Sequence, residues 1–109
     1  MSFASEKTYD PTFLYEAVGR GEVDVATVYT TDGRVAAFDL AVLADPAGAL
    51  PPYDALLLVS RHAPAGVARA LGSLVGAVPP DVMREANRRV DVDGQTPDAV
   101  AAWLRDRVR

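Results

Sequence analysis

The sequence predicts an α/β fold, a mixed sheet of about three strands with about four helices. Two patterns carry this expectation. Short apolar runs without alternation suit strands buried on both faces, while elsewhere apolar residues recur at helical spacing behind cap-and-proline starts. In chain order, Asp10 before Pro11 reads as an N-cap with proline at the first helical position, and Phe13, Leu14, Ala17 and Val18 then share a face until Gly19 and Gly21 stop the helix. Residues 23–29 (VDVATVY) are β-rich and short enough for a strand, and residues 40–43 and 55–59 are apolar runs of the same kind. Pro64 opens a helix expected to reach Val78, with Val67, Leu71, Leu74 and Val75 on its buried side, before Pro79-Pro80 interrupts it. Residues 81–89 read as a short helix with Val82, Met83 and Ala86 inward. Thr96-Pro97 repeats the cap-plus-proline start, and Val100, Trp103, Leu104 and Val108 line one face of a terminal helix. Thr31-Asp32-Gly33-Arg34 carries the Asp-Gly signature of a two-residue hairpin loop, so the residues alone leave a hairpin open there.

Composition narrows the function. The 109 residues fit one domain with a core of its own. Eleven basic against fifteen acidic side chains, a net charge of -4, speak against a surface that tracks phosphates, so nucleic acid is not an expected partner. The absence of cysteine removes disulfides, thiolate zinc sites and cysteine nucleophiles, and a single histidine cannot build a His-based metal site; no metal and no cofactor are expected. Residues 1–10 lack the basic and apolar regions of a secretory signal, and no run approaches the ~20 apolar residues of a membrane span, so the chain as written reads as neither exported nor embedded.

The stretch from Asp10 to Asp54 is the most specific part of the sequence. It holds, in order, Asp10-Pro11, Tyr15, Ala17, Gly21-Glu22-Val23-Asp24, Tyr29-Thr30-Thr31-Asp32-Gly33-Arg34, Asp39-Leu40 and Pro51-Pro52-Tyr53-Asp54. This order resembles the C-terminal part of the osmoprotectant (glycine betaine, choline, carnitine) substrate-binding proteins of ABC transporters. The resemblance implies a fragment of a two-lobed type II periplasmic-binding-protein fold. Residues up to about 38 would belong to the second lobe and the crossover, and residues from about 39 to 109 would return to the first. It also implies a helical turn over residues 31–38 in place of the hairpin. Such proteins work outside the cytoplasmic membrane with a permease as partner. The missing N-terminal half and the absent leader therefore read as signs of a partial chain, expected to self-associate through the apolar surface that half would cover.

The ligand's chemistry indicates which residues matter. A trimethylammonium head has no N–H donor, so aromatic faces must recognise it, at ~0.5–2 kcal/mol per ring. In the family, tyrosines from both lobes build the cage, and two of them stand where Tyr29 and Tyr53 stand, at the ends of predicted strands. Unaided by the resemblance, each would read as a strand-end ring with its hydroxyl in water. Thr30 and Thr31 could add hydroxyls to the ligand site or simply cap the turn. Asp32 and Arg34 read as an intra-turn cap and crossover salt bridge, with Arg34 pairing to a ligand carboxylate as the alternative. Tyr9 and Tyr15 read as helix-entry and packing residues.

Other residues carry less. His62 reads as a solvated or capping loop histidine, and Ser5, Ser60 and Ser73 lie in no nucleophile elbow. Asp91, Asp93 and Gly94 lack the loop length and terminal glutamate of a calcium site and read as a turn. The arginines at 84, 88, 89, 105, 107 and 109 read as a solvated helix surface or a permease-facing one. Two function classes follow: a transport receptor fragment for quaternary-ammonium osmolytes, or a small α/β interaction or regulatory module that kept the fold without the ligand. No nucleophile–base pair, carboxylate dyad or phosphate loop supports an enzyme.

Overall fold

The computed structural model describes residues 3–108. Five helices make up its regular structure: α1 (Pro11–Gly19), α2 (Gly33–Ala37), α3 (Ala65–Gly72), α4 (Pro80–Asp91) and α5 (Pro97–Arg105). Their starts follow local chemistry. Asp10 accepts from the Thr12 amide at 2.9 Å ahead of Pro11, Asp32 accepts from the Arg34 amide at 2.9 Å, and the Thr96 hydroxyl accepts from the Ala99 amide ahead of Pro97. The stops are local too. Gly21 (φ 71°) takes the left-handed position after α1 while the Glu22 amide reaches back to the Ala17 carbonyl. Asp39 (φ 51°) does the same after α2, with the Leu40 amide bonded to Val35. Residues 31–34 thus form a helix start, and the hairpin that Asp-Gly allowed is not formed.

The expected mixed sheet of about three strands is absent: no strand occurs among the described residues, and the helices number five. Residues 23–29, 40–43 and 55–59 are extended or irregular, but no backbone hydrogen bond joins one run to another. A strand is a property of a pair, made by amides and carbonyls on a neighbouring chain segment. β-rich sequence supplies only half of it. The helix expected from Pro64 to Val78 likewise stops at Gly72, with no residue of it fully buried and the apolar side beyond it left open at Leu74 and Val75, 49% and 71% exposed.

Burial is confined to one nucleus. Tyr15 and Ala17 of α1, Val35 of α2, Ala86 of α4 and Val100 of α5 are the buried apolar residues. In it α2 packs on α4, and α4 on α5. Gly33 makes the first contact possible, since a Cβ there would overlap the backbone of Arg88 and lie 2.8 Å from the Asn87 carbonyl carbon. At the second, the guanidinium groups of Arg89 and Arg107 lie 4.3 and 4.0 Å from the centre of the Trp103 ring. Residues 41–62 are exposed throughout, and α3 buries nothing. The radius of gyration, 17.1 Å, exceeds the roughly 13 Å of a compact domain of this length.

Candidate functional site

Tyr29 and Tyr53, 24 positions apart and on segments that share no backbone hydrogen bond, meet with ring centres 5.6 Å apart and planes inclined at 54°. This is the separation and tilt that aromatic pairs favour. Neither residue ends a strand as expected, and both rings remain open to solvent, at 60% and 79% exposure.

The backbone beneath Tyr29 is tightly specified. The Asp32 amide closes a turn onto the Tyr29 carbonyl at 3.1 Å. The next two carbonyls point to α4: Arg84 Nε donates to Thr30, and Asn87 Nδ2 donates to Thr31 at 2.7 Å. Thr30 and Thr31 therefore take part through their main chain. Asp32 caps α2 and pairs with the Arg34 guanidinium at 3.3 Å, so both are engaged within the turn. Tyr15, buried below, places its ring 5.8 Å from that guanidinium. Burial, then a hydrogen bond to the Asp32 carboxylate and that group's negative charge, push the Tyr15 hydroxyl up to about 12.

Tyr53 is delivered differently. The Asp45 carboxylate accepts from the amides of Ala49 and Leu50 at 3.0 and 2.8 Å, folding residues 45–50 into a closed loop, and Pro51-Pro52 then stiffens the lead into the tyrosine. These hydrogen bonds, that from Leu50 first, hold the Asp45 carboxyl below the usual aspartate range. Sequence reasoning missed Asp45, although Asp-Pro-x-Gly is a recognisable turn signal. It also missed Arg84 and Asn87 as partners of the Thr30–Thr31 backbone. Nor is the arginine run a uniform solvated surface: Arg88 and Arg89 pair with Glu85 at 2.9 and 2.8 Å, and Arg88 with Asp93 at 2.9 Å. These hydrogen bonds, Arg88's foremost, hold the Glu85 carboxyl low. His62 donates its amide to the Ser60 hydroxyl in a turn.

An open groove of about 610 Å³ lies elsewhere, between residues 3–9 and 22–27, and neither tyrosine lines it. No helix among the described residues is long and apolar enough to cross a membrane.

Two carnitine transport binding proteins OpuCC, one from Listeria monocytogenes serotype 1/2a (strain 10403S) and one from Listeria monocytogenes, are each 29% identical to the chain over 113 residues. The match takes in 90% of this chain and 36% of each relative, so the chain spans about a third of their length. No solved structure matches significantly. Family and relatives are transport substrate-binding proteins, not enzymes. The family profile for the substrate-binding domain of ABC-type glycine betaine transport systems matches residues 1–106, nearly the whole sequence, and the chain belongs to that family.

Proposed function

We propose that the chain forms part of an extracytoplasmic receptor that captures a quaternary-ammonium osmolyte (glycine betaine, choline or carnitine) with Tyr29 and Tyr53 and delivers it to an ABC permease. The observation that supports this reading is the 5.6 Å approach of two exposed rings that the fold brings together from separate segments. Two inclined rings offer walls to a cation that needs no hydrogen-bond partner, each worth ~0.5–2 kcal/mol according to how far water is excluded. The remaining walls would come from the rest of the binding protein, with residues 1–38 in one lobe and 39–109 in the other. Membership of the family and the likeness to carnitine-binding relatives favour this ligand class.

The test is made in the complete binding protein. Replacing Tyr29 or Tyr53 by Ala is expected to weaken glycine betaine binding by about fivefold each, the equivalent of ~1 kcal/mol. Thermal stability should stay nearly unchanged, since both rings are mostly exposed. Calorimetry reads the first effect and a melting curve the second. A tyrosine whose removal leaves affinity intact is not part of the cage.

A further inference from the structure

Tyr29 and Tyr53 are exposed, so packing around the rings does not fix where they point. For Tyr29 that task falls to the backbone immediately after it. The Tyr29 carbonyl is used inside the turn by the Asp32 amide, while the carbonyls of Thr30 and Thr31 are taken by two side chains of α4. Two donors on consecutive carbonyls set the planes of two peptide units, and with them the direction in which the chain leaves Tyr29. Arg84 and Asn87 stand three positions apart and share one face of the helix. They reach the turn because Gly33 lets the start of α2 approach the α4 backbone to a distance that any Cβ would forbid. Contacts 54 and 56 residues apart in sequence thus converge on the two residues that follow Tyr29.

We propose that Arg84 and Asn87 are positioning residues for the Tyr29–Tyr53 pair, holding the Tyr29 turn through the Thr30 and Thr31 carbonyls so that the two rings meet. Its bearing on ligand capture rests on reading that pair as part of the osmolyte site. The contact itself does not. Each side chain acts through the main chain, by donating to the Thr30 or Thr31 carbonyl, and the donor rather than the bulk of the side chain is what counts.

The experiment follows ring-to-ring nuclear Overhauser effects between Tyr29 and Tyr53 in the full chain. The effect should be present in the native protein, lost in Asn87→Asp, which keeps the volume but offers the Thr31 carbonyl no donor, and lost in Arg84→Met. It should return in Arg84→Lys, which restores a donor. Far-UV circular dichroism should meanwhile show helix content unchanged. Absence of the effect in the native chain, its persistence in Asn87→Asp and Arg84→Met, or loss of helix content in those variants would each overturn the proposal, the last because the residues would then be holding the fold and not the pair. Addition of glycine betaine separates the two ideas. If neither ring resonance responds to it, the ligand reading fails, while the comparison of variants still decides whether α4 positions the pair.

Discussion

At the residue scale, Tyr15 shows how one side chain ties α1 to the turn that carries the site. Its exposure is 2%, and its hydroxyl is held at about 12 against an ordinary 10, first by burial and then by the Asp32 carboxylate. Because the folded value lies above the unfolded one, the neutral phenol contributes stability that is fully present below pH 10 and is lost as pH rises towards 12. Denaturation followed at increasing pH should therefore show stability falling between pH 10 and 12 in the native chain. Tyr15→Phe should flatten that fall and remove the late component of the ultraviolet phenolate titration. An unchanged profile in the variant would mean that Tyr15 is not the group responsible. The sequence read Tyr15 as a packing residue but gave the apolar face of its helix to Phe13, Leu14, Ala17 and Val18; the buried face is instead the one that carries Tyr15, and Phe13 is 61% exposed. The link from Tyr15 to Asp32 requires the fold.

At the level of elements, the helix starts at Asp10-Pro11 and Thr96-Pro97 were legible because capping is local. Asp32, equally local as a cap, carried an Asp-Gly signal that a hairpin would share, and only the resemblance implied a helical turn there. The runs at 23–29, 40–43 and 55–59 were not legible, because a strand depends on a neighbour that the run's own residues cannot specify. Arg84 and Asn87 were illegible for another reason: a side chain that binds a distant carbonyl needs no particular residue at the receiving end. The loop at residues 45–50 lies between these cases. Asp45 alone organises it, by accepting from Ala49 and Leu50. Since its carboxyl is held below the ordinary value of 3.8, the closed loop is stabilised above that pH and opens as pH falls through the lowered folded value. The protection of the Ala49 and Leu50 amides, their exchange rates taken relative to the intrinsic rate at each pH, should fall on acidification, and Asp45→Ala should lack that protection at neutral pH. Equal protection in native chain and variant would leave Asp45 without this role.

For the whole molecule, surface area decides the argument. The chain exposes 8853 Å², about 3,000 Å² more than the roughly 5,800 Å² expected of a compact monomer of its mass. Much of what is exposed is apolar: Leu43, Tyr53, Leu56, Leu58 and Val75 each show more than two thirds of their surface to solvent. Such side chains are ordinarily covered, and isolated ones would need no explanation, but residues 55–59 form an unbroken run. Burying about 800 Å² of apolar surface at roughly 25 cal/mol per Å² gives on the order of 20 kcal/mol gross, more than the roughly 4–15 kcal/mol set against association. An interface of ordinary size, about 800 Å² from each copy, would use only a fraction of the excess. The isolated chain is therefore expected to self-associate, in competition with whatever covers the same surface in the complete binding protein. Light scattering coupled to size exclusion should return a mass above 11.6 kDa that rises with concentration in the micromolar range. A constant mass of one chain would show that the apolar run between α2 and α3 finds cover within a single copy, and that the open arrangement of residues 41–62 does not persist in solution.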